Sequence, residues 1–278
     1  MIPQICHLNW TTGSPLAWLQ LVTIHSFHKL NPDWHIIIHL MKQRPEDMGR
    51  NTYVPDYTGP DYFKDVPSYV EIREVDMKAE GIALDKPPFI ISDIWRREIL
   101  YKHGGLYSDF DVIWLRSMSH LQNIECLGNP ADFEGTVSFF EYTHGFHNCS
   151  NIISEPGSPF LRAGMDEVKK IKPPYGHLDF GTWMLNRMYP TWNDVVKKHP
   201  RMLALKYETF YPYSIYHLEE LFLKTNLTLL ESNNVMCVHW FNGHGLAKEY
   251  LNKEDYSREC SMTTILCNEG YNCDNSHL

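Results

Sequence analysis

Residues 35–40, His-Ile-Ile-Ile-His-Leu, constrain the fold more than any other stretch of the chain. A run this short, without polar alternation, reads as a strand covered on both faces, as strands of parallel sheets are. Gln4 to Asn9 reads as an earlier strand. Between the two, Pro15 to Leu30 places Leu16, Leu19, Thr23, Phe27 and Leu30 on one helical face, with Pro15 suited to a first turn. Strand, helix and buried strand make a β-α-β unit, whose crossover is right-handed in a parallel sheet.

The same reading continues downstream. Residues 43 to 68, rich in Pro, Asp, Tyr and Gly, predict a long loop, and Val70 to Val75 alternates as a strand does. Pro88 to Lys102 predicts a helix with Ile91, Ile94, Trp95 and Ile99 inward, ended by Gly104-Gly105. Leu106 to Leu115 then reads as one strand. Further strands are expected at Thr136 to Tyr142 and Val235 to Phe241, and helices at Pro159 to Ile171 and Gly181 to Met188. The expectation is an α/β fold: a mixed, mostly parallel central sheet flanked by helices, one domain over 1–250 and a tail over 251–278. A chain of 278 residues is long enough for one large domain of this kind.

Charge narrows the function. The formal net charge is −9 and no run of Lys and Arg stands out, which argues against a nucleic-acid partner. An acidic protein can still take a diphosphate, because a bound metal neutralises it locally. No run of 18 apolar residues and no leader pattern is visible, so the expectation is a soluble, cytoplasmic protein without a membrane anchor in this chain. The seven cysteines include no C-x-x-C pair, against a zinc site of the usual spacing. Cys260, Cys267 and Cys273 cluster where one disulfide can form, though reduced thiols are the default for a cytosolic protein. The sequons at Asn9, Asn148 and Asn226 read as accidental.

The chemistry concentrates in His103-Gly-Gly-Leu-Tyr-Ser-Asp-Phe-Asp111. On a strand, Asp109 and Asp111 share one face and Phe110 takes the other. Two carboxylates so placed can hold Mn²⁺ or Mg²⁺ through oxygen. Roughly one such spacing arises by chance in a chain of this size, so the force lies in the setting: helix, Gly-Gly cap, Tyr, then the pair at a strand end.

Ser92-Asp93-Ile-Trp-Arg96 together with His103 to Asp111 resembles the hallmark of the DXD sugar-binding glycosyltransferases, family 32-like enzymes of GT-A fold. Ile2 to Trp10 and Asn151 to Pro159 resemble the family's opening strand and middle segment. The resemblance implies a Rossmann-like nucleotide-binding fold and transfer of a hexosyl or pentosyl unit (xylosyl among them) from a nucleotide sugar, most often UDP-linked. It implies a divalent metal, and an oligosaccharide or glycoprotein as acceptor. Residue by residue, it implies that Trp10 stacks on the base and that Asp93 and Arg96 hold sugar hydroxyls or phosphate. Tyr107 would line the donor site, Asp109 would touch ribose or metal, and Asp111 would bind the metal. In related enzymes a C-terminal His is a metal ligand. His239 or His244 fills that part in His239-Trp-Phe-Asn-Gly243-His244-Gly245, with Lys248 reaching a phosphate.

Asp179 in His177-Leu-Asp-Phe-Gly181 falls where the family carries an active-site segment, although the usual Thr-Gly-Pro is absent, and is the candidate catalytic carboxylate; Glu141 is another. Each of these residues also has an ordinary use. Asp93 and Arg96 stand three apart on a helix, as a surface pair does; Trp10 suits a core, and a single histidine is more often structural than a ligand. Two other classes remain beside the transferase: a nucleotide-sugar or carbohydrate-binding protein of the same fold without turnover, and a metal-dependent phosphoesterase. The latter usually needs a second cluster of ligands, which the sequence does not display.

Overall fold

The structure is a computed structural model that describes residues 2–10, 15–41, 57–76, 80, 88–127, 135–140, 146–176, 178–253, 256 and 258–271. The opening unit is β1 (Ile5–Trp10), α1 (Trp18–Leu30) and β2 (His35–Met41), followed by β3 (Val70–Val75) and α2 (Pro88–His103). Next come β4 (Gly105–Ser108), β5 (Val112–Trp114), β6 (Cys126–Leu127), β7 (Gly135–Phe140) and β8 (Phe146–Ser154). Helices α3 (Pro159–Val168), α4 (Thr182–Met188) and α5 (Trp192–Lys198) lead to β9 (Met202–Leu205). The chain closes through α6 (Leu218–Phe222), β10 (Cys237–His239), α7 (Gly245–Lys253) and α8 (Ser261–Asn268).

Eight strands form one sheet in the order β3-β2-β1-β4-β8-β7-β9-β6, while β10 and β5 make a separate antiparallel ribbon. Strands β3, β2, β1 and β4 are mutually parallel, as is the pair β7 and β9; the remaining three pairings are antiparallel. The architecture is therefore mixed α/β, with helices on both faces of a largely parallel sheet. Period-2 alternation divides the strands between two cores. Cys6, Leu8, Ile36, Ile38, Leu106 and Ile153 enter the cluster under α1, the ribbon and the C-terminal helices. Met41, Tyr107, Ile152, Met202 and Ala204 enter the cluster under α2, α3 and α4.

The structure refines several sequence expectations. Helix α1 begins at Trp18, after Pro15, because the Gln20 side chain accepts the Ala17 N–H at 2.9 Å and sets the cap there. Only residues 57–68 of the expected loop are described, and Tyr62–Asp65 is a 3₁₀ turn capped by Asp61. The strand expected over 106–115 is broken into β4 and β5, which belong to different sheets. Within the stretch 251–278 expected as a tail, the described residues include α8, whose Met262, Ile265 and Leu266 are buried in the larger core. Cys267 is disulfide-bonded, against the expectation of reduced thiols, whereas Cys6, Cys126, Cys149, Cys237 and Cys260 are free.

The turn from α2 into β4 requires its glycines. Gly104 and Gly105 have φ of 66° and 98°, a region that L side chains rarely enter. A Cβ on Gly105 would also lie 2.4 Å from the Ile5 carbonyl oxygen. This tight turn delivers β4 alongside β1, pairing Cys6 with Leu106. The chain moves from β1 outward to β3, then returns to β4 on the other side of β1. The strand order thus reverses between β1 and β4, the place where open α/β sheets form a crevice at their carboxyl ends.

Candidate active site

Asp109 and Asp111 sit at that crevice, in the bend between β4 and β5. They converge through the bend and its anchors, not through the face of one strand. The Asp109 N–H donates to the Ser150 carbonyl at 3.0 Å, and the Phe110 carbonyl accepts the Thr23 hydroxyl at 2.6 Å. The Trp240 N–H donates to the Asp111 carbonyl and the Asn242 N–H to Asp111 Oδ2, both at 2.9 Å. The ribbon β5–β10 pairs Val112 with His239 and so carries the histidine to the carboxylates.

Asp109, Asp111 and His239 each offer one ligand atom within 4.8 Å of the others, the only group of its kind among the described residues. His239 Nε2 is 3.1 Å from Asp111 Oδ1. Neighbouring ligands of an octahedral cation with bonds of about 2.1 Å stand about 3 Å apart, so the pair fits a small hard cation without rearrangement. Two carboxylates and an imidazole also suit Mn²⁺ in donor type.

Helix α2 supplies the opposite wall. Arg96 Nη2 is 3.2 Å from Asp93 Oδ1 and 3.3 Å from Asp109 Oδ1, and Nη1 donates to the Cys149 carbonyl. The guanidinium lies 4.6 Å from the centre of the Tyr107 ring, a cation–π distance. Tyr107 donates to Asp109 Oδ1 at 3.1 Å and meets Ser92 Oγ at 2.9 Å. Asp93 and Arg96 are 8% and 6% exposed, so they are no surface pair. Burial pushes the Asp109 carboxyl up to about 6 despite Arg96, with Asp111 adding to the rise. Burial would raise Asp111 as well, but His239 and the Asn242 N–H outweigh it and hold that carboxyl low.

The remaining expected residues divide. His244 and Lys248 lie on the turn and first coil of α7: the His244 N–H donates to the Phe241 carbonyl at 2.8 Å and the Lys248 N–H to the His244 carbonyl at 3.0 Å. Trp10 is 7% exposed and packs edge-on against Phe110 at 5.1 Å, a core residue at the end of β1. Asp179 accepts the Gly176 N–H at 2.6 Å and stands 3.9 Å from Arg187, so its carboxylate serves a local turn. Its segment still abuts the site, because a Cβ on Gly181 would lie 3.1 Å from Asp93 Oδ2. Glu141 lies outside the described residues.

Four contributors escaped the sequence reading. Arg97 is 2% exposed and donates to the Asp93 carbonyl. Tyr211 touches His239, Ser150 anchors Asp109, and Asn242 anchors Asp111. Arg97 stands between Arg96 and Glu98 and reads as one more charge on a solvated helix face, which gives no signal. Tyr211 and Ser150 act through ring packing and backbone, which leave no spacing to detect. Asn242 lies in the motif that follows the last strand, and Ser150 only in the sequon at Asn148.

Residues 19–127 match the family described as a glycosyltransferase sugar-binding region containing a DXD motif, a segment that holds Asp93, Arg96, Tyr107, Asp109 and Asp111. No curated protein matches the chain. Among solved structures, the PaToxG glycosyltransferase is similar at 18% identity, over 68% of this chain and 70% of that one, with a TM-score of 0.44. The galactosyltransferase LgtC, in complex with donor and acceptor sugar analogs, is similar at 13% identity, over 95% and 94%, with a TM-score of 0.47. The apo glycosyltransferase GlyE of Streptococcus pneumoniae is similar at 10% identity, over 96% and 60%, also with a TM-score of 0.47. Among the described residues no helix is long and apolar enough to cross a membrane.

Proposed function

We propose that the chain is a metal-dependent glycosyltransferase that moves a hexosyl or pentosyl unit from a nucleotide sugar, UDP-linked, to a hydroxyl of a glycan acceptor. The observation that carries this reading is the convergence of Asp109, Asp111 and His239 beside a buried Asp93–Arg96 pair, all but His239 inside the segment that matches the sugar-binding family. When bound, Mn²⁺ or Mg²⁺ supplies Lewis-acid stabilisation of the charge that develops on the diphosphate. Asp109, Asp111 and His239 would hold it.

The protein's own groups do the rest. Arg96, fixed between two carboxylates, keeps Asp109 turned toward His239 and presents a cationic edge to the donor. Asp93 turns Oδ2 toward Gly181, where a sugar hydroxyl can donate to it. Helix α7 opens at Gly245, so its dipole favours phosphate oxygens there, with His244 and Lys248 adjacent. Tyr107, which donates to Asp109, and Tyr211, which packs on His239, border the cation site with aromatic surface.

The test is nucleotide release from a panel of UDP- and GDP-sugars, with Mn²⁺ and glycan acceptors present, beside calorimetric binding of the same donors. Release with a UDP-sugar supports the reading. Tight donor binding with no release from any acceptor would show instead a nucleotide-sugar-binding protein of the same fold.

A further inference from the structure

Metal-binding histidines ordinarily donate the second ring nitrogen to a carboxylate, a carbonyl or water, which fixes the ring's direction. His239 has no such bond: Nδ1 is buried and has no hydrogen-bond partner among the described residues. Rings surround it instead. Phe241 meets it edge-on at 4.3 Å and 79°, Tyr211 lies 5.1 Å away at 46°, and Tyr211 and Phe241 are 5.9 Å apart. The Tyr211 hydroxyl is bonded to Ser150 Oγ, and the Ser150 carbonyl accepts the Asp109 N–H.

Phe241 is the only non-glycine residue with positive φ among the described residues, at 52°. A bulky residue there costs about 1–3 kcal/mol and persists only where its surroundings over-determine it. The bonds on either side do so: the N–H groups of Trp240 and Asn242 both donate to Asp111, one to its carbonyl and one to its carboxylate. The left-handed turn thus lets one short segment close a ring over His239 and also grip Asp111.

We propose that Phe241 and Tyr211 are positioning residues that aim His239 Nε2 at the cation by ring packing, in place of the missing hydrogen bond. This rests on the reading that a divalent cation binds at Asp109, Asp111 and His239. The test is Mn²⁺ titration of the full chain, following the free-Mn²⁺ resonance by electron paramagnetic resonance, with melting curves for every variant. F241G is the decisive variant, since glycine adopts this φ without cost and leaves the Asn242 bond in place. The expected result is an affinity about 10- to 100-fold weaker for F241G and F241A, as when other supports of a metal ligand are removed. F241Y, which keeps the ring, binds as the wild type does. F241G at wild-type affinity overturns the proposal, because backbone geometry alone would then suffice. Equal Mn²⁺ binding by wild type and D111N overturns the metal site itself, and with it the reading beneath.

Discussion

Arg96 is shared between two carboxylates: the same Nη2 that lies 3.3 Å from Asp109 Oδ1 also lies 3.2 Å from Asp93 Oδ1. The three side chains join helix α2 to the bend after β4, and this link turns a common helical i,i+3 pair into part of a site. Breaking a buried ion pair by removing one partner leaves an uncompensated charge and costs about 3–5 kcal/mol. Arg96→Met is therefore expected to lower the unfolding free energy at pH 7 by that order, measured by urea denaturation. An effect within 0.5 kcal/mol, the size seen for ordinary surface changes, would show that the network contributes little (about that range).

Asp109 should make cation binding acid-sensitive. Its carboxyl is raised to about 6 by burial, and a protonated carboxyl cannot serve as a ligand. Mn²⁺ affinity is expected to be steady above that value and to fall about tenfold per pH unit below it, the slope for one displaced proton. Titrations at pH 7.5, 6 and 5 check this (about these values, bracketing the Asp109 carboxyl). Affinity that does not change with pH contradicts it.

Two buried histidines should make the fold itself acid-sensitive. The Gly104 carbonyl can only accept, so His7 Nε2 donates to it at 3.0 Å, leaving His7 Nδ1 to accept from His39 Nε2 at 3.0 Å. Both rings are neutral in this arrangement. Burial pulls His7 down to about 4 and His39 lower still, each below the ordinary 6.5. Between those values the unfolded chain binds more protons than the folded one, so stability is present at neutral pH and is lost as pH falls. A drop on the order of 3 kcal/mol from His7 alone is expected between pH 6.5 and 4. Urea midpoints across this window should shift less in H39Q than in the wild type; an unchanged slope would assign the acid sensitivity elsewhere.

Gly105→Ala tests the turn that delivers the site. The added methyl would meet the Ile5 carbonyl at 2.4 Å while the backbone holds φ at 98°. Strain of this kind costs about 1–3 kcal/mol before the clash is counted. Denaturation should show at least that loss, and Gly157→Ala offers a comparison, since its φ is 74° but nothing lies within 4 Å of the new Cβ. Equal losses in the two variants would remove the role assigned to close approach.

The opening β-α-β unit was legible because His35 to Leu40 is a short, mostly apolar run and Leu19, Thr23, Phe27 and Leu30 mark one face of α1, although Pro15 set its start too early. Helix α2 was legible from Ile91, Trp95 and Ile99, and from the glycines that end it. Beyond Pro130 the reading thinned. Strand β8 carries His147, Asn148, Ser150 and Asn151 among its apolar residues, and these polar groups hide its alternation. In the site, Asp109 and Asp111 are visible in the sequence, but the cause of their convergence is not. A single strand would place both on one face by spacing alone, whereas the structure bends there and brings His239 from β10. Such pairing across more than a hundred residues leaves no local pattern. Asp179 had the right neighbourhood in sequence, yet its carboxylate closes a turn with Gly176.

The central claim is that sugar transfer depends on a cation held by Asp109, Asp111 and His239. The most direct measurement is nucleotide release from a UDP-sugar by wild type and D111N, each in Mn²⁺ and in chelator, with folded state confirmed by circular dichroism. The account predicts release by the wild type in Mn²⁺ only, and a loss of at least about 100-fold in folded D111N, the scale for removing a principal electrostatic group. Release by the wild type in chelator, or by D111N at the wild-type rate, would contradict it.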